Sequence, residues 1–202
     1  EMEIVTVKSQ EVGGIDLYTH ASTKSPTIPI FVGKDEGMSP RQCTRQFKIT
    51  PVQKYAFNEL GGDELEMWLG ISMDEWHRMK DARDKRVTNR FPLIEMKLTR
   101  EDCRRVILDA GLPEVPNSAC YFCPLLGTKH FRRLASENPD LFEKAAQLED
   151  KINATFQIPR DKRPLYLSRL GKPLRSIPTG QLGFGADFDA AYEEECEGTC
   201  FV

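Results

Sequence analysis

The sequence predicts a mixed α/β protein with a strand of the parallel-sheet type, several short helices and a cysteine-based site. Three observations carry that expectation. The run LEMWLGI at 65–71 is mostly apolar over the length of a buried strand. Helix-start signals recur, as Ser39-Pro40, Thr99 with Asp102, and Asn138-Pro139. Cys120 and Cys123, in NSACYFCP, make a C-x-x-C turn that aims two thiolates at one point, which suits a soft metal or a redox pair.

Taken in order, residues 2–7 of the opening EMEIVTV read as a strand, β-branched and already under way at the first residue. That start leads us to expect a preceding segment. Residues 8–38 are a long stretch rich in Gly, Ser, Thr and Pro around the apolar patch IPIFV at 28–32, and loops of that length are usually functional or mobile. Ser39-Pro40 opens a helix, Pro51 opens a second helical stretch, and Gly61-Gly62 ends it. After the strand at 65–71, SMDEWHRMKDARDKRVTNR is dense in both charge signs and predicts an irregular surface or a short helix. FPLIEM at 91–96 fits a short strand or loop. Thr99 and Asp102 start a helix that Gly111 closes, placing Cys103 near its first turn.

Past the C-x-x-C, Thr128 is a cap for a helix to about Ser136. The next helix carries Leu141, Phe142, Ala145, Leu148 and Ile152 at helical spacing, a core stripe. RPLYLSRLGKPLRSI reads as a short hairpin or extended arm. GQLGFGADF is read as flexible, and the end, EEECEGTCFV, is acidic with Cys196 and Cys200.

The bulk properties narrow the function classes. With 202 residues, 40% hydrophobic and 29% charged, the chain fits a soluble globular protein with one sizeable core. A net charge of −3 gives no global argument for nucleic-acid binding. No apolar run approaches the ~20 residues of a membrane span, and no signal peptide is present, so a cytoplasmic protein is expected. In a reducing compartment six cysteines point to metal or redox use before structural disulfides.

Cys43 lies 77 positions before Cys120, and Cys103 lies 17 before it. Both sit in polar, helix-start contexts, QCTR and REDC, where backbone N–H groups favour a thiolate. Arg41, Arg45, Arg100 and Arg104 would offset the charge of a thiolate cluster. The set Cys43, Cys103, Cys120 and Cys123 suits zinc or an iron–sulfur cluster equally well. His20, His77 and His130 have no partner at metal-ligand spacing and are read as structural or surface residues.

In order, RQCTRQFKITPVQ, WLGISMDEWHRMK, FPLIE, LTREDC and SACYFCP resemble the phosphoadenosine-phosphosulfate reductase-like proteins of the adenine nucleotide α-hydrolase superfamily, in its phage and bacterial branch. The resemblance covers about residues 40–153 and returns at the tail, ECEGTCFV. It implies a partial Rossmann-like parallel sheet over 1–98, a helical cysteine-rich subdomain with a four-cysteine metal site over 99–158, and an extended arm with a cysteine-bearing tail over 159–202. It implies a [4Fe–4S] cluster, with zinc as the alternative. Cys43 matches one of the Cys-Cys pair of adenylyl-sulfate reductases, and Cys120 and Cys123 match their C-x-x-C. Position 42 is Gln here, and Cys103 resembles the single upstream cysteine of the sulfur-transfer subunit in DNA phosphorothioation systems.

The same resemblance puts Glu75 and Arg78, with Arg45 and Lys48, at a pocket for an adenine nucleotide, where Arg offers bidentate donors to phosphate or sulfate. Cys196 corresponds to the tail nucleophile of the reductases, although Glu193, Glu194, Glu195 and Glu197 around it oppose thiolate formation. The family's SGGxDS-type phosphate loop has no counterpart in EVGGID or LGGDE, and is expected in a preceding segment. The implied activity is sulfate reduction or sulfur transfer on an adenine nucleotide, with a thiol reductant or sulfur-donor protein as partner and homo-oligomerisation allowed. Two other readings stay open: a sulfur-transfer or nucleotide-activating component for DNA or tRNA modification, contacting nucleic acid through RDKR at 83–86 and RDKRP at 160–164, and a zinc module that assembles with a partner.

Overall fold

A computed structural model describes residues 4–9, 14–24, 26–34, 37–113, 119–156 and 163–178. The described chain is mixed α/β, about half of it helical, with two small sheets. In chain order come α1 (Leu17–Thr23), β1 (Phe31–Val32), a helical stretch containing α2 (Thr50–Tyr55), then β2 (Leu65–Trp68), β3 (Val87–Arg90), α3 (Pro92–Glu95) and α4 (Arg100–Asp109). They are followed by α5 (Gly127–Glu137), α6 (Pro139–Thr155) and β4 (Leu165–Tyr166). None of the described helices is long and apolar enough to cross a membrane.

Two compact units divide these elements. The first comprises the described residues of Glu1–Pro51 and Ala119–Thr199, the second those of Val52–Ser118. This division differs from the sequence-derived boundaries at 98/99 and 158/159.

The first unit is assembled on α6. Its apolar stripe buries Ala145, Ala146, Leu148 and Ile152, with Leu141 and Phe142 half-buried beside them. The α1 and α5 helices pack on α6. Ala21, Phe131 and Leu134 enter the same core, together with Ile28, Ile30, Leu165, Leu167 and Ile177 from extended segments and Leu174 from a 3-10 turn. β1 pairs antiparallel with β4, Phe31 opposite Tyr166 and Val32 opposite Leu165.

Two polar side chains of α6 hold the arm that follows it. Glu149 accepts the backbone N–H of Leu167 (2.7 Å) and of Leu174 (2.8 Å). Asn153 accepts the N–H of Leu165 (2.8 Å) and donates to its carbonyl (2.7 Å), as a neighbouring strand would. These bonds satisfy backbone groups at the arm's buried positions, Leu165, Leu167 and Leu174, beyond its two-residue pairing in β4.

The second unit contains a parallel pair, Leu65 opposite Val87 through Trp68 opposite Arg90. A parallel pair needs a crossover, and residues 69–86 supply it with a 3-10 segment at Met73–Arg78. In α4, Thr99 and Asp102 form the reciprocal capping box, and Gly111 (φ +72°) follows the helix end.

Several expectations are corrected. Residues 4–7, the described part of the expected first strand, form none, and Ile4 stands 90% exposed. The loop expected over 8–38 contains α1, capped by Asp16 through the Thr19 N–H, and β1. Helix does not begin at Ser39-Pro40: the Ser39 hydroxyl receives the Ile30 N–H, and helical structure starts at Cys43. Nor does Pro51 open a new helix. The helical stretch is continuous across it, because Arg45–Ile49 adopt the wider π spacing just upstream, where a proline removes one hydrogen bond and crowds the preceding turn. FPLIE is a helical turn, α3, with Pro92 at its first position. Thr128 lies inside α5, buried and 3.5 Å from the Ser168 hydroxyl, and does not cap it. The parallel component among the described residues is the β2–β3 pair, so the sheet is a small mixed α/β arrangement and the expected Rossmann-like sheet is not established.

Candidate metal centre

The C-x-x-C segment is a closed turn. The Cys123 N–H donates to the Cys120 carbonyl at 2.9 Å, and the Leu126 N–H donates to the Cys123 carbonyl at 3.2 Å. Cys123 precedes a 3-10 turn at Pro124–Leu126, with Pro in its first position, that leads through Gly127 (φ +72°) into α5. Between the two cysteines Phe122 is buried in the core, and this anchors the turn. Its ring meets Tyr121 edge-on at 4.9 Å and Tyr18 at 6.1 Å. The Tyr121 carbonyl lies 3.0 Å from His130 Nε2 on α5. Burial pushes the Tyr121 phenol above its ordinary range and the His130 imidazole below its own.

Cys43 is fixed by a different device. The backbone N–H groups of Gln42 and Cys43 both donate to the Thr27 carbonyl, at 2.9 and 3.0 Å. The Gln46 N–H returns to the Gln42 carbonyl, so Cys43 stands in the first turn of its helical stretch. One turn on, Phe47 packs edge-on against His20 at 5.2 Å. Cys43 and Cys120 both border the same buried core, and with Cys123 all three belong to the first unit.

Cys103 occupies the fourth residue of α4, half-buried, in the second unit. Among the described residues, no three His, Cys, Asp or Glu side chains are gathered closely enough to enclose a metal ion. The donor chemistry nevertheless fits a soft metal or cluster: three half-buried thiols lie in one unit, two on a shared core and two on one turn. Cys196 and Cys200 lie outside the described residues.

Of the residues expected at a nucleotide pocket, Glu75 and Arg78 are together. Arg78 Nη1 meets Glu75 Oε1 at 2.6 Å, and the arginine is only 7% exposed. Its Nε has no hydrogen-bond partner, an unmet donor inside the second unit. Beside this pair in sequence, Asp74 accepts the Arg100 N–H at 2.6 Å and so ties the 3-10 segment to the start of α4. Arg45 is exposed and Lys48 half-buried, both in the first unit.

No protein-family model, no curated protein and no solved structure matches the chain.

Three participants escaped the sequence reading. Thr27 contributes through its carbonyl, which no side-chain pattern signals. His130, read only as a structural or surface residue, meets a backbone oxygen that no side-chain spacing signals. Glu149 was not singled out by the sequence, yet it is 3% exposed, and burial pushes its carboxyl up to about 7 against the opposing effect of two backbone N–H groups. A lone acid in the middle of an apolar stripe, between Leu148 and Ile152, was the available signal.

Proposed function

We propose that the protein is an iron–sulfur protein of the phosphoadenosine-phosphosulfate reductase-like kind, acting on an adenine nucleotide in sulfate reduction or sulfur transfer. The supporting observation is the placement of Cys43 and Cys120 on one core, with Cys123 joined to Cys120 by the turn hydrogen bond. Cys43, Cys120 and Cys123 serve as thiolate ligands, and Cys103 is the sequence's candidate for the fourth. Ligand ordering and metal binding are thermodynamically coupled, so the thiols complete their convergence on loading. A bound [4Fe–4S] cluster would supply electron transfer or a site for sulfur handling.

The chain's own residues have defined tasks in this reading. The aromatic rings of Tyr18, Tyr121 and Phe122 shield the turn side and lower the local dielectric. Arg78, with an unmet Nε–H, is the donor for a phosphate or sulfate oxygen, and Glu75 fixes its guanidinium. Arg45 and Lys48, in the first unit, remain the sequence's further basic candidates, and Cys196 is its candidate nucleophile.

Iron and acid-labile sulfide in anaerobically purified protein test the proposal, with Cys120→Ser expected to lose both. Zinc without iron would leave the structural zinc module in its place. Salt-dependent binding of DNA or tRNA would instead direct the same cluster to nucleic-acid modification.

A further inference from the structure

We infer that His130 is the positioning residue of the C-x-x-C turn: its ring holds the Tyr121 carbonyl and thereby sets the orientation in which Cys120 and Cys123 present their thiols. The inference rests on the reading of these two cysteines as ligands.

The turn's own hydrogen bond joins only its ends, from the Cys123 N–H to the Cys120 carbonyl. The peptide between residues 121 and 122 is left to rotate unless its carbonyl is engaged, and that rotation tilts the two Cα–Cβ bonds relative to each other. His130 Nε2 engages it at 3.0 Å. A carbonyl oxygen can only accept, so Nε2 carries the proton. The ring itself is held: it stands edge-on to Phe131 at 5.4 Å, and Phe131 is fully buried in the core under α5.

The contact therefore ties the middle of the turn to the rigid α5–α6 pair, while Phe122 ties its inner side to the core. Turn and helix reach the same frame by separate routes, through the covalent link at Gly127 and through this hydrogen bond. Residues that orient metal ligands from outside the coordination sphere typically contribute ~10–100-fold in metal affinity.

The test compares wild type, His130→Phe and His130→Gln, whose amide nitrogen reaches the same carbonyl. Two quantities are read on the full chain, the rate of iron release to a chelator and hydrogen exchange at the Cys123 amide. The expected result is iron release about tenfold faster in His130→Phe. Cys123 exchange should accelerate in the same variant, with Leu167 exchange unchanged and both readouts near wild type in His130→Gln. Wild-type release and wild-type Cys123 exchange in His130→Phe would overturn the inference. Wild-type protein free of both iron and zinc would refute the ligand reading instead, and Cys123 exchange would then decide the positioning role alone. If Leu167 exchange shows that phenylalanine unfolds the unit, His130→Asn, too short to reach the carbonyl, replaces it with the same expected outcomes.

Discussion

Replacing Glu149 isolates a buried electrostatic device of the first unit. Its carboxyl titrates near 7 in the fold, against an ordinary value of 4.5. A raised carboxyl pKa means that the folded state holds its proton more tightly than the unfolded chain. The stabilisation is therefore complete below about pH 4.5, declines as pH rises, and is gone above about pH 7. The shift of roughly 2.5 units corresponds to about 3 kcal/mol over that window. Glu149→Gln removes the titration and also turns an N–H donor toward one of the two amide donors, Leu167 or Leu174, at a cost of about 1–3 kcal/mol. Hydrogen exchange at those two amides, corrected for intrinsic rates, reads the opening free energy of the arm directly. The neighbouring charges Asp150 and Arg175 are common to both proteins and cancel in the difference. Wild type should exceed the variant by about 3 kcal/mol more at pH 4.5 than at pH 8. A difference that is flat, or that grows with pH, would refute the assignment of Glu149 as a buried, proton-retaining clamp.

Further outcomes are expected elsewhere. Thr99→Ala removes half of the α4 capping box and should cost about 1 kcal/mol, visible as faster exchange at the Cys103 amide, which donates to the Thr99 carbonyl. Gly171→Ala should destabilise the first unit by more than 1 kcal/mol, on the order of a left-handed strain plus overpacking. Gly171 has φ +61°, and a Cβ there would lie 3.1 Å from the Lys34 Cα; urea denaturation measures the effect. Phe131→Ala, at a site with no exposure, should cost about 3–5 kcal/mol in the same assay and release the His130 ring as well.

What the sequence disclosed follows the range of the interactions involved. The α4 helix was legible at both ends because its capping box and Gly111 act within a few residues. The α6 stripe was legible because helical spacing alone puts Ala145, Leu148 and Ile152 on one side. The apolar run at 65–71 located a strand but not its setting: the strand covers 65–68 alone and is not buried, with Trp68 72% exposed, and its partner at 87–90 was hidden in charged sequence, where Thr88 and Arg90 face outward. The pairing of Phe31–Val32 with Leu165–Tyr166 spans more than 130 residues and carries no local signature. The α1 helix was overlooked because it is only seven residues long and polar, although Asp16 and Thr19 already had cap spacing. Within the site, C-x-x-C proximity was legible from spacing. The hold of Thr27 on Cys43 and of His130 on the turn depends on backbone carbonyls that the fold alone delivers.

The first unit is discontinuous in the chain, and this has a consequence for the order of its birth. Cys43 and the carbonyl that fixes it leave the ribosome early, but the core they border needs α5, α6 and the arm up to Leu174. At 5–20 residues per second, roughly 7 to 26 seconds separate the synthesis of Cys43 from that of Leu174. Through that interval the Cys43 thiol has no finished core to shelter it, while all 67 residues of the second unit's main segment, Val52–Ser118, emerge in between. Oxidation of Cys43 within that interval is thus a loss that the stability of the finished fold does nothing to prevent.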